Sequence, residues 1–123
     1  RMKFRLDETY LLLAEAYLRQ DMPDKAADAV NEVRRRAKVS DVSDEEMTMD
    51  FLLDERIREL YGEESRRFTL IRTGKLLERV RKYNPEARDL IQDFHVLWPI
   101  PQAIRDANVG NFPQNPGYEG YEG

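Results

Sequence analysis

Cysteine is absent from this 123-residue chain and histidine occurs once, at position 95. The first absence excludes disulfides, thiolate metal ligands, a cysteine nucleophile and a lipidated cysteine within the sequence. The second excludes multi-histidine metal sites and leaves any Ser–His–Asp arrangement a single base to draw on. No apolar run approaches the roughly 18–20 residues that a membrane-spanning helix requires. A basic excess is also lacking: 20 Lys and Arg stand against 24 Asp and Glu, a net charge of −4, which argues against a generic nucleic-acid binder. There is no P-loop, Rossmann fingerprint, EF-hand loop or nucleophile elbow, and no segment alternates with the period of a strand. The chain opens at Arg1 with neither a methionine nor a signal peptide, the pattern expected of a fragment.

What is present is a charged surface around a lean core, with 36% charged and 41% hydrophobic residues. Length and patterning predict an all-α fold in a single domain over residues 1–123. Four of the six glycines (Gly110, Gly117, Gly120, Gly123) and four of the six prolines (Pro99, Pro101, Pro113, Pro116) lie in the last quarter. Residues 93–123 therefore read as an irregular Pro/Gly-rich arm, draped over the core by the apolar side chains of residues 94–100.

Helices are expected near 6–20, 24–37, 44–61 and 63–83 within a helical stretch ending near 92. Tyr10, Leu13, Ala14 and Tyr17 form an i, i+3, i+4, i+7 stripe on the first. Pro23 suits the first turn of the second, whose final Arg34, Arg35, Arg36 and Lys38 complement the helix dipole. Ser43 and Glu46 make a capping box that should open the third. Gly62 and Gly74 mark breaks, and Asn84-Pro85 ends the fourth, with a further short helix open to residues 85–91. The expected core is Tyr10, Leu13, Tyr17, Ala26, Val30, Phe51, Ile57, Leu60 and Trp98.

Residues 6–38 fit one tetratricopeptide-like helical hairpin. In a 34-residue frame from Asp7, Tyr10, Leu13, Ala14 and Tyr17 take the large and small positions of the first helix, and Ala26 the close helix crossing. Glu55, Glu59 and Glu63 follow at i, i+4 and i+8, so three like charges share one face. Arg66 and Arg72, returning after the Gly62 bend, are the expected partners in a structural ion-pair network. A hydrolase acid/base pair is the competing reading, but no metal ligand or histidine accompanies the glutamates. His95, between Phe94 and Val96, reads as a packed residue. Tyr118 and Tyr121 are candidate ligand contacts through ring stacking, while Trp98 reads as core. No catalytic, cofactor-binding or metal-binding residue is expected.

Together these pieces resemble one family. The quoted segments are Asn31-Glu32-Val33-Arg34-Arg35-Arg36-Ala37, Asp54-Glu55-Arg56-Ile57-Arg58-Glu59-Leu60-Tyr61-Gly62-Glu63, Arg66-Arg67-Phe68-Thr69-Leu70-Ile71-Arg72, Trp98-Pro99-Ile100-Pro101 and Gln114-Asn115-Pro116-Gly117-Tyr118. In this order they look like the C-terminal portion of the SusD/RagB outer-membrane lipoproteins of Bacteroidetes, over about residues 6–118. The sequence departs from the family's Arg-Trp-Phe-Asp-Leu pattern at Arg67 and Thr69, and Glu64-Ser65 replaces the common Gly-His or Gly-Asn. The resemblance implies a non-enzymatic, cell-surface protein without a cofactor that binds glycans or peptides. It also implies a SusC-like TonB-dependent transporter as partner, and outer-membrane attachment through an N-terminal lipid anchor outside this chain. The alternative from another class is an intracellular tetratricopeptide-type adaptor that binds a partner helix or peptide. The proline-rich arm discriminates the two, because an adaptor has no need of it.

Overall fold

The computed structural model describes residues 5–121. Expectations for residues 1–4 and 122–123, the two ends of the expected domain, lie outside them. The described residues form six α-helices and no strand, and the chain divides into two compact units, Arg1–Glu64 and Ser65–Gly123.

In the first unit, α1 (Leu6–Leu18) carries Asp7 and Glu8 in its first turn, where acidic side chains favour the dipole. A short link with Asp21 at φ +57° leads to α2 (Pro23–Arg36), which begins on its proline. The two helices pack against each other, and α3 (Met49–Glu59) packs on α1. Alanine-rich α2 permits this close approach: Ala26 is fully buried, Ala27 and Ala29 nearly so, and Ala14 of α1 is fully buried beside them in the same cluster. Leu11, Val30, Val33 and Leu52 fill the space around these small side chains. Replacing Ala26 by Leu should therefore cost about 1–3 kcal/mol through overpacking. Urea unfolding with an unshifted midpoint would show that the crossing has room to spare.

Three features of this unit depart from the pattern-based expectation. The buried stripe of α1 is Leu11, Ala14 and Glu15, whereas Leu13, expected in the core, is 41% exposed and Tyr10 and Tyr17 pack only partly buried. Ile57 likewise faces solvent, while Leu52, Leu53, Val42 and Met47 are buried in its stead. The capping box forms, with Ser43 N donating to Glu46 Oε2 (3.2 Å) and Glu46 N to Ser43 Oγ (3.3 Å), yet it closes one turn rather than opening the helix. Thr48 caps α3 instead, accepting from Phe51 N at 3.1 Å. The buried amide of Asn31 anchors the loop before the box, donating to Val42 O (3.0 Å) and accepting from Val42 N (2.8 Å).

Hydrogen bonds from Ser43 backbone and side chain hold the Glu46 carboxyl below its ordinary pKa. A lowered folded-state pKa stabilises above the unfolded value and is lost as pH falls through the folded one. The box should therefore be intact at neutral pH and open in acid. Ser43→Ala should raise the Glu46 titration midpoint read by carboxyl-carbon NMR; an unmoved midpoint would contradict this.

The second unit contains α4 (Arg66–Arg72), α5 (Leu76–Tyr83) and α6 (Gln102–Asp106), with a 3-10 turn at Asp93–Val96. The single helix expected over 63–83 is split by Gly74 at φ +70°. Residues 85–90 form turns rather than a helix, organised by Asn84 Oδ1, which accepts from Glu86 N and Ala87 N. The segment expected to be irregular thus holds two short helical elements. Its apolar side chains are less covered than expected: Leu97 is 44% and Trp98 57% exposed.

Candidate functional site

The sequence-predicted site residues fall into two groups, one in each unit. In the first unit every member of the glutamate series is engaged by arginine. Arg5 Nη2 meets Glu59 at 2.6 Å and Asp7 at 2.8 Å, and its Nη1 meets Glu63 at 2.7 Å. Arg36 reaches the same Glu59 (2.5 Å) and Asp7 (3.0 Å). This cluster joins the start of α1 to the ends of α2 and α3. The hydrogen bond to Glu63 raises the Arg5 pKa above its ordinary value, opposed by burial and reinforced by Asp7.

One helical turn back, Glu55 is buried and accepts from Arg34 Nη1 (2.8 Å) and Arg58 Nη2 (2.7 Å). Both guanidiniums also lie 5.5–5.8 Å from the Phe51 ring centroid, within cation–π range. The end of α2 thus has a second role beside the dipole effect: Arg34 and Arg36 neutralise α3.

Sequence reasoning passed over Arg56, which is 1% exposed. Its Nε contacts Glu64 Oε1 at 2.6 Å, with the Glu64 side chain only 6% exposed, and its Nη2 lies 3.8 Å from Glu8. Only the position of Arg56 between apolar Leu53 and Leu60 hinted at this burial. Arg66 and Arg72, the expected partners of the glutamates, belong to the second unit, on α4.

In the second unit the two proline-containing motifs of the arm find one another. Ile100 N donates to Gln114 Oε1 (2.8 Å), and Gln114 Nε2 donates back to Ile100 O (3.0 Å). Gln114 is accordingly buried. Asn115 Nδ2 donates to Trp98 O (2.7 Å) and Tyr118 Oη to Leu97 O (2.8 Å). A backbone bracketed by Pro99 and Pro101 has few amide donors, so amide and phenol side chains supply the pairing that a strand would otherwise provide.

Tyr118 also packs edge-on against Phe94, with centroids 5.0 Å apart. Gly117, at φ +86°, lies so close to the Phe94 ring that a side chain would collide with it. Arg105 of α6 closes the end of the arm, donating to Phe112 O and Gly120 O at 3.1 Å each. His95 Nδ1 accepts from Gln92 N at 2.7 Å, which puts the neutral ring's proton on Nε2.

Arg67 donates to His95 O and lies 4.3 Å above the Trp98 ring. Trp98 is therefore propped from one side by a cation. Of the two candidate ligand contacts, Tyr118 has its hydroxyl and ring engaged within the arm, while Tyr121 is 47% exposed. Among the described residues no group of His, Cys, Asp and Glu could hold a metal ion, and no helix is long and apolar enough to cross a membrane.

Comparison with known proteins gives a consistent family. The model of the SusD family matches residues 1–118. SusD-like protein P25 of Formosa agariphila is 36% identical over 82% of this chain and 21% of its own length. The starch-binding protein SusD of Bacteroides thetaiotaomicron is 34% identical over 94% of this chain and 21% of its own. SusD-like protein P38 of Formosa agariphila is 32% identical over 79% of the chain and 20% of its own. The chain thus spans about a fifth of the length of the curated relatives it matches. No solved structure matches it.

Proposed function

Since the chain belongs to the SusD family, we propose that it serves, as a C-terminal portion, in a cell-surface nutrient-binding lipoprotein that takes up glycans with a SusC-like TonB-dependent transporter. SusD-family proteins are non-catalytic binding proteins associated with the outer membrane, so the reading needs no reaction centre. The observation that carries it is the extent of the family match, which runs from the first helices through the Gln114–Tyr118 motif. The mutual locking of that motif with Trp98–Pro101 supports it. On this reading α1 and α2 are a tetratricopeptide-like scaffold facing the transporter, supported by the full burial of Ala14 and Ala26. Tyr118 and Tyr121 are ligand contacts, with the more exposed Tyr121 ring the better stacking face.

Affinity capture of the SusD-family protein bearing this sequence, from outer membranes in mild detergent, should recover a TonB-dependent barrel. Recovery of cytosolic chaperones or signalling proteins instead would favour an intracellular adaptor.

We also propose that Arg66 and Arg72 pair with members of the Glu55, Glu59 and Glu63 series and that the pairing is structural. In a double-mutant cycle, Arg66→Gln with Glu59→Gln should show coupling of about 0.5 kcal/mol or more. Zero coupling for every such pair would end the idea.

A further inference from the structure

The second unit contains a cavity of about 450 Å³ that the glycan reading does not use. Its size falls within the range of small-molecule pockets, about 300–1,000 Å³. Leu70, Leu76, Val80, Leu90 and Ile91 make it apolar, a surface that suits hydrocarbon rather than a hydroxyl-rich sugar. The polar groups on its lining are basic, apart from the neutral amide of Asn84. Arg66, Arg67 and His95 lie there, and no acidic side chain does. Arg67 is held at the lining by His95 O, to which its Nη2 donates, and by the Trp98 ring against its face. A guanidinium fixed beside an apolar cavity is matched best by an anionic oxygen, which takes charge-assisted hydrogen bonds.

We infer that this cavity binds an aliphatic carboxylate, with the hydrocarbon against the leucines and the carboxylate at Arg67. His95 contributes to the selection, because its Nδ1 accepts from Gln92 N and leaves Nε2 as the ring's donor. Arg66 adds a second positive charge to the lining. Neither Tyr118 nor Tyr121 lines the cavity, although the Tyr118 ring centroid lies 6.3 Å from that of His95; a failure to bind octanoate would leave the uptake reading untouched, and the reverse.

The test is titration of the purified SusD-family protein bearing this sequence with octanoate, followed by calorimetry and by NMR. Saturable binding is expected, with shifts centred on Leu70, Leu90 and Ile91. Hexanoate, two methylenes shorter, should bind about tenfold more weakly, and neutral octanol also about tenfold more weakly for want of the charged hydrogen bond. Arg67→Gln should lower octanoate affinity by about tenfold or more while leaving octanol unchanged. Leu90 is 72% exposed, so Leu90→Glu should fold normally and abolish octanoate binding by like-charge repulsion. A linear, unsaturated response to octanoate, equal affinities for octanoate and octanol, or undiminished octanoate binding by folded Leu90→Glu would each overturn the proposal.

Discussion

Replacing Arg56 by Ala should destabilise the first unit by about 3–5 kcal/mol, the cost of breaking a buried ion pair from one side. The expectation follows from the near-complete burial of both side chains, 2% and 6% exposed, and their 2.6 Å contact. Coulomb attraction inside the protein offsets desolvation of the pair only while both charges are present. Glu64→Gln keeps the shape and one acceptor and should cost less, about 1–3 kcal/mol. The double variant Arg56→Ala/Glu64→Gln should lose less than the sum of the two singles, because the contact they share is lost only once. Chemical denaturation followed by helical circular dichroism measures all of these. A loss below about 1 kcal/mol for Arg56→Ala would mean that the pair behaves as a solvated surface bridge.

Gly117→Ala should unlock the arm. The residue sits at φ +86°, where L side chains are strained, and its Cβ would enter the space of the Phe94 ring. Backbone strain of about 1–2 kcal/mol and displacement of a packed ring add to roughly 3 kcal/mol. The amide of Ile100, which donates to Gln114, reports the lock directly. Its hydrogen exchange should accelerate about a hundredfold, the equivalent of roughly 3 kcal/mol. Gly110 provides the internal control: a Cβ there meets open space, so Gly110→Ala should leave the exchange of Ile100 unchanged. Equal behaviour of the two variants would contradict the lock.

The start of α2 and the break between α4 and α5 were legible from local chemistry, because each rests on residues adjacent in the chain. Pro23 starts α2 and Gly74 parts α4 from α5, and both signals act within a turn or two. The buried face of α1 was not legible in the same way. In Tyr10–Leu18 large apolar residues occur on every side, so two stripes offset by one residue fit the helical period equally well. Tertiary packing chose Leu11 and Ala14. The Ser43–Glu46 box shows a different limit: its hydrogen bonds form as its sequence indicates, but they close an isolated turn between a loop held by the Asn31 amide and a helix capped by Thr48.

The ion-pair network was half legible. A row of glutamates demands cations, yet the choice among a chain's arginines depends on which helix ends converge. In the first unit Arg5, Arg34 and Arg36 answer the demand. Burial of Arg56 was hidden because an arginine in an acidic helical segment looks like a surface residue until its tertiary partner is placed. In the arm, Trp98–Pro101 and Gln114–Tyr118 stood out as motifs, but no local rule pairs a proline-bracketed backbone with an amide fourteen residues away.

Calorimetry of the purified SusD-family protein bearing this sequence, titrated with a panel of polysaccharides while reducing ends are assayed, tests glycan binding without catalysis most directly. The account predicts saturable binding of at least one polysaccharide with no rise in reducing ends; hydrolysis of a bound glycan, or no binding across the panel, would contradict it.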